Sequence, residues 1–228
     1  MTSAPVKPEV AAIVVAAGSG IRLGREIPKA AIEIAGVPMV TRSVQAMFSG
    51  GVDKAVVVAP EAWVERFAHF FPAYPDRVKV ISGGVMRQDS VRLGLVNTGE
   101  ADIVLVHDAA RPLVPPFVVD RVIEAVRDGA PVVIPVVPQV DSLRRIRRNW
   151  TVAVDRSTFL RVQTPQGFEA QVLRRAHAQA GDKEFTDDAT MCEAIGMPVM
   201  TVPGDGLAFK ITDPMDLVLA EVIARGES

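Results

Sequence analysis

The densest chemistry in the chain lies near its start. The run Ala16-Ala17-Gly18-Ser19-Gly20-Ile21-Arg22-Leu23-Gly24 is followed by Pro28-Lys29. Glycines in a turn let backbone N–H groups approach phosphate oxygens with no Cβ in the way. Arg22 and Lys29 bring two positive charges to the same turn. Phosphoryl transfer needs such charges, because negative charge gathers on the equatorial oxygens and the leaving group. The pattern is not GxxxxGK[ST], and Gly18, Gly20 and Gly24 miss the dinucleotide fingerprint GxGxxG by one residue. With Gly18, Gly20, Arg22, Pro28 and Lys29 each at about 5% frequency, chance supplies the set on the order of 10⁻⁴ times in a chain of this size.

Other polar residues follow apolar runs. Asp108, in His107-Asp108-Ala109-Ala110-Arg111-Pro112, either holds a divalent cation against phosphates or fixes a turn. Gly83-Gly84 closes another run, and Asp89 and Ser90 then read as early-helix polar residues. Asp187-Asp188 has the look of a metal pair, but acids in a first helical turn are what the helix dipole favours, so capping and orientation are expected. Asp213 before Pro214, with Asp216 beyond, reads as a helix start. Cys192 is the single cysteine, which excludes an internal disulfide and a cysteine-rich zinc site; it reads as a small buried hydrophobe. His69, His107 and His177 lie far apart with no HExxH spacing. His107 reads as a structural residue at a strand end, and His69 and His177 as helix-face residues. No Ser/His/Asp or Cys/His constellation is visible.

The elements that must position these residues alternate. Residues 11–16, 54–59, 78–82, 102–107 and 131–137 are short β-branched runs. Continuous apolar runs suit strands covered on both faces. Helices are predicted over 38–48, 60–71, 87–96, 116–127, 169–180, 187–195 and 213–225. This order predicts an α/β fold, a Rossmann-like, mostly parallel sheet with helices on both faces. Ligands then bind at the carboxyl ends of the strands. Residues 139–155 break the rhythm. Trp150, Val152 and Val154 alternate with polar or small residues, which predicts a projecting β-hairpin arm over about 138–156. Its Arg144-Arg145-Ile146-Arg147-Arg148 run reads as a solvated tip or a dimer contact in preference to a nucleic-acid contact.

The chain has 228 residues, with 25 basic and 27 acidic side chains and a net charge of −2. Roughly 150 residues per domain predicts a single domain carrying the arm. Near-neutral charge argues against a general nucleic-acid or acidic-membrane binder. At 49% hydrophobic and 23% charged residues, disorder is excluded as the main state. No apolar signal core and no run of about 18 apolar residues is present, so a cytoplasmic protein without a membrane partner is expected.

Further stretches narrow the reading: Gly83-Gly84-Val85-Met86-Arg87-Gln88-Asp89-Ser90-Val91, Thr164-Pro165-Gln166, Phe185-Thr186-Asp187-Asp188 and Lys210-Ile211-Thr212-Asp213-Pro214. With the first loop and the His107–Pro112 stretch, they closely resemble the 2-C-methyl-D-erythritol 4-phosphate cytidylyltransferase family of sugar-phosphate nucleotidyltransferases. The resemblance runs over about residues 11–224. It implies attack by a sugar-phosphate oxygen on the α-phosphorus of CTP, with pyrophosphate leaving. By resemblance, Arg22 and Lys29 stabilise the transition state, and the backbone of Ala16, Ala17, Gly18, Ser19 and Gly20 holds the triphosphate. Gly83, Gly84, Ser90 and Ala109 receive the cytosine, Asp108 ligates Mg²⁺, and Lys210 faces the phosphates. Arg111 and Thr186 belong to the sugar-phosphate pocket. The resemblance also implies a homodimer in which the arm crosses to a partner, so that Ser142, Arg156 and Thr164 complete the neighbour's pocket. Relatives commonly carry threonine where Ser142 stands and an acid where Val85 stands. A ribitol 5-phosphate cytidylyltransferase of the same kind is the enzyme alternative. A non-catalytic nucleotide-binding regulator is the alternative of another class, and the presence of Arg22, Lys29 and Asp108 weighs against it.

Overall fold

The first five residues of Val10–Val15 are wholly excluded from solvent, and the next apolar runs pair beside them. A computed structural model of the chain describes residues 7–18 and 26–226. Its first half runs β1 (Val10–Val15), β2 (Glu33–Ile34), β3 (Val37–Pro38), α1 (Met39–Ser49), β4 (Lys54–Ala59), α2 (Val64–Ala68), β5 (Val78–Ser82), α3 (Arg87–Val96), β6 (Ile103–Asp108) and α4 (Pro116–Arg127). Then come β7 (Val132–Pro138), β8 (Leu143–Arg147), β9 (Trp150–Val154), β10 (Leu160–Val162), β11 (Gln166–Glu169), α5 (Ala170–Gln179), α6 (Asp188–Glu193), β12 (Met200–Pro203) and α7 (Pro214–Gly226).

The α/β reading and the five apolar strands hold to within a residue at their ends. The central sheet has the order β10-β7-β11-β6-β1-β4-β5, with β12 also on β7. Strands β1, β4, β5 and β6 run parallel. The chain therefore moves outward from β1 through β4 to β5, then crosses back to β6 on the other side. The point where such a sheet reverses its winding opens a crevice beyond the carboxyl ends of the strands. Here it falls between β1 and β6.

The sheet is more mixed than the apolar runs predict. β11 inserts antiparallel between β6 and β7, and β10 pairs antiparallel with β7. Neither announces itself in sequence, because Gln166-Gly167-Phe168-Glu169 sends one large apolar residue, Phe168, into the core. The stretch predicted as a helix over 60–71 divides into a 3₁₀ turn, Glu61–Trp63, and α2, because Trp63 departs from helical backbone angles.

Helices cover both faces. Val44 and Met47 of α1, Phe67 of α2 and Val118 and Val122 of α4 pack with Val14, Val57 and Leu105 on one side. Val91 and Leu95 of α3, Leu173 of α5 and Met191 and Cys192 of α6 pack with Ile13, Val58 and Val106 on the other. A smaller cluster joins Ile34 and Met39 to Ala220 and Ala224 of α7. The arm is the antiparallel hairpin β8–β9, in register from Leu143↔Val154 to Arg147↔Trp150. It forms its own two-stranded sheet. Ile146 is 80% and Trp150 63% exposed, while Leu143, Val152 and Val154 are half-buried.

Candidate active site

The parallel register sets the floor of the crevice. Val15 is opposite Asp108, and just beyond, Ala16 N–H donates to the Val58 carbonyl and Ala109 N–H to the Val15 carbonyl. Ala16 and Ala109 are thus buried in the strand ends, while Ala17 and Gly18 come out into the opening. Lys29 N–H donates to the Gly18 carbonyl at 3.2 Å, which ties the far limb of the glycine loop back to its start. Lys29 opens a 3₁₀ turn, Lys29–Ala31, whose two alanines are buried. Ser19, Gly20 and Arg22 lie outside the described residues.

The β5–α3 turn forms a second wall. Gly84 N–H donates to Ser90 Oγ at 3.1 Å, and Met86 N–H to Asp89 Oδ2 at 3.2 Å. A Cβ on Gly84 would stand 2.3 Å from the Asp89 Cβ, so only glycine fits this close approach. Ser90 is buried beneath the turn and holds its shape. Val85 is 97% exposed at the rim of the opening.

A cleft of about 460 Å³ is bounded by Gly18, Lys29, Gly84, Arg87, Asp108 and Lys210, a size suited to a small ligand. At its centre Asp108 accepts from Lys210 Nζ at 2.9 Å and from Arg87 Nε at 3.3 Å. Burial alone would raise the Asp108 pKa, but the Arg87 and Lys210 charges hold it well below the usual carboxylate range. Asp108 is ionised at any physiological pH. Burial opposes the charge on Arg87 too, yet Asp188 and Asp108 together keep it firmly protonated. Arg87 Nη1 donates to Asp188 Oδ2 at 2.7 Å.

Below Asp108, His107 is fully buried, and burial pushes its pKa down to about 4 despite the neighbouring carboxylate. It is neutral near pH 7, as a structural strand-end residue should be. Thr164 Oγ1 sits 3.1 Å from His107 Nδ1 and accepts from Asp108 N–H at 3.1 Å. Thr164 is thus 5% exposed under the site of its own chain, not on the arm with Ser142 and Arg156. Those two are exposed, and Arg156 Nη1 donates back to the Val140 carbonyl. Arg111 donates from Nη1 to the Ala208 carbonyl at 2.7 Å and from Nη2 to the Val162 carbonyl at 3.3 Å, which holds its guanidinium beside the β10 end. Thr186 is exposed, its hydroxyl 3.4 Å from that of Thr190.

The acidic pair divides its work as the helix reading expects. Asp187 caps α6 by accepting from Thr190 N–H at 2.8 Å, and also accepts from Gln166 Nε2. Asp188 is buried against Arg87. Asp213 likewise accepts from Met215 and Asp216 N–H groups at the start of α7. Among the described residues, no group of three or more His, Cys, Asp or Glu side chains is placed to hold a metal. The cleft offers one ionised carboxylate, Asp108. That donor set suits a hard cation that takes its remaining oxygens from phosphates and water.

The family model described as "IspD: 2-C-methyl-D-erythritol 4-phosphate cytidylyltransferase" matches residues 10–226. The chain belongs to this family. A relative named 2-C-methyl-D-erythritol 4-phosphate cytidylyltransferase from Rhodococcus jostii is 46% identical over 222 residues, covering 96% of each chain. The crystal structure of the enzyme of that name from Thermus thermophilus superposes with a TM-score of 0.79 at 36% identity, over 95% of this chain and 99% of that one. A 4-diphosphocytidyl-2C-methyl-D-erythritol synthase structure from Anaerococcus prevotii, at 22% identity and a TM-score of 0.84, shares the fold. Among the residues at the cleft that sequence reading left unassigned are Met86, Arg87 and Thr212. Arg87 stands 21 positions from Asp108 and 101 from Asp188, so no local spacing exposes its role. Thr212, two residues past Lys210, was legible only as part of a motif.

Proposed function

We propose that the chain transfers CMP from CTP to 2-C-methyl-D-erythritol 4-phosphate, releasing pyrophosphate and forming 4-diphosphocytidyl-2-C-methyl-D-erythritol. Its family membership supports this reading. The observation that carries it in the molecule is Asp108, held ionised between Lys210 and Arg87 where β1 and β6 part. The acceptor phosphate oxygen forms a bond to the CTP α-phosphorus, and the bond from that phosphorus to the bridging oxygen breaks. The nucleophile is already an anion, so no base is needed, and neutral His107 is not called upon. Catalysis is then positioning plus charge neutralisation.

In this reading Lys29, with Arg22, stabilises negative charge on the α-phosphoryl group. The Ala17–Gly20 backbone holds the triphosphate, and the Gly83-Gly84 turn receives the cytosine. Asp108 would hold Mg²⁺, which when bound supplies electrostatic stabilisation to the phosphates. Lys210 is poised to leave Asp108 for those phosphates. Arg111 and Thr186 receive the sugar phosphate. We read the chain as one domain acting in the cytoplasm as a homodimer, with Ser142 and Arg156 of the arm reaching a partner's pocket. Among the described residues no helix is long and apolar enough to cross a membrane.

The test is pyrophosphate release with Mg²⁺, crossing CTP, UTP, GTP and ATP against methylerythritol 4-phosphate and ribitol 5-phosphate. Release confined to CTP with methylerythritol phosphate is expected. Release with ribitol phosphate alone would replace the acceptor, and CTP binding without release in any combination would point to a regulator.

A further inference from the structure

Arg87 is shared between two carboxylates, Asp108 at the end of β6 and Asp188 at the start of α6. Its Nη1 meets Asp188 at 2.7 Å and its Nε meets Asp108 at 3.3 Å. The shorter contact is to Asp188, the carboxylate outside the cleft. Asp188 is 1% exposed. A buried carboxylate is costly unless paired, and here the capping of α6 does not account for it, because Asp187 fills that role. Among the described residues, Arg87 is the hydrogen-bond donor Asp188 has. The other Asp188 oxygen faces His177 Nε2 of α5 at 3.4 Å, outside hydrogen-bond geometry.

Guanidinium groups prefer to grip a carboxylate through two parallel N–H bonds. Free of Asp188, Arg87 would close on Asp108 in that way and cover the oxygens that the reaction needs. We propose that Asp188 is a positioning residue: it draws the Arg87 fork sideways, so that Arg87 gives Asp108 a single N–H, at Oδ1, and leaves Oδ2 to Lys210. The α5–α6 layer thereby sets the electrostatics of a site that it does not line. This role rests on the transfer proposed above.

The experiment is a double-mutant cycle on purified full-length chain, using Asp188→Asn, Arg87→Gln and the double variant, with pyrophosphate release from CTP and methylerythritol phosphate. Asp188→Asn is expected to lower kcat roughly 10- to 100-fold, as sub-ångström to ångström misplacement does, with KM for CTP changed less than about threefold. In the Arg87→Gln background the same substitution is expected to cost nothing further, because its target is gone. A readout apart from turnover is Mn²⁺ binding in the presence of CTP without acceptor, followed by water-proton relaxation. Asp188→Asn should weaken it roughly three- to tenfold, and Arg87→Gln should restore it. Multiplicative losses in the double variant, or a lower melting temperature with kcat and Mn²⁺ binding intact, would overturn the role. Should Asp188→Asn fail to fold, Arg87→Lys reads the same link, because an ammonium cannot bridge both carboxylates: a kcat loss of the same order supports the role and full kcat overturns it. A parent chain silent with every nucleotide would instead overturn the reaction, and this role with it.

Discussion

Lys29 and Asp108 mark the two sides of the cleft, one cationic limb and one buried anion. For Lys29→Ala we predict a fall in turnover of roughly 10²–10⁴, from loss of a transition-state charge contact, read as kcat at saturating substrates; near-normal turnover would remove Lys29 from the chemistry. Thr164 works differently. Its hydroxyl joins His107 Nδ1 to the Asp108 N–H, so Thr164→Val leaves two buried polar groups without a partner. A destabilisation of about 1–3 kcal/mol is expected, measured by denaturant unfolding, and an unchanged midpoint would show that water replaces the hydroxyl. Lys29 drew notice in sequence as a charge beside a glycine loop, Asp108 stayed open between a cation ligand and a turn until the resemblance was drawn, and Lys210 was placed by the resemblance alone. Thr164 and Arg87 were not legible there, because their meaning lies in distances between positions far apart along the chain. The Thr164 hydroxyl looks the same in sequence whether it serves its own subunit or a neighbour.

Turns and short helices carry the next level of design. The β5–α3 turn approaches its helix so closely that Gly84→Ala must push Asp89 aside. We predict about 1–3 kcal/mol of lost stability, as for other overpacked sites, together with weaker CTP binding by calorimetry; an unaltered affinity would mean that the turn does not contact the nucleotide. The start of α6 makes a pH prediction. Burial would raise the Asp188 pKa, but the facing His177 and Arg87 hold it below its usual value. A carboxyl depressed in the folded state adds stability above its unfolded pKa of about 3.9, and that stability is lost as pH falls through the folded value. Parent melting temperature should therefore drop more steeply than that of Asp188→Asn between pH 5 and pH 3, and parallel slopes would contradict the assignment. Strands with unbroken apolar runs were read correctly, since burial on both faces leaves no other composition. β10 and β12 were missed because each is short and pairs along one edge only, and β11, although paired on both edges, because its four residues include a single large apolar side chain, Phe168.

Across the whole molecule, the arm is the part that the single chain leaves incomplete. Ile146 and Trp150 stand exposed on the hairpin. Placing a charge there, as in Ile146→Asp, should shift a dimer toward monomer in sedimentation velocity, and a monomeric parent would end the exchanged-arm reading. If the arm reaches a partner's acceptor pocket, Arg156→Ala should raise KM for the sugar phosphate more than KM for CTP, and equal changes would count against it. The alternating Trp150, Val152 and Val154 made the hairpin legible, but its direction depends on a surface that one sequence does not contain. The arm also leaves and rejoins the sheet at one place, since Pro138 at its start pairs with Leu160 at its return. Its ends are clamped side by side, so its length and side chains can change without tension on β7 or on the nucleotide cleft. In evolutionary terms the arm is a cassette, replaceable as one hairpin while the sheet that forms the cleft is inherited intact.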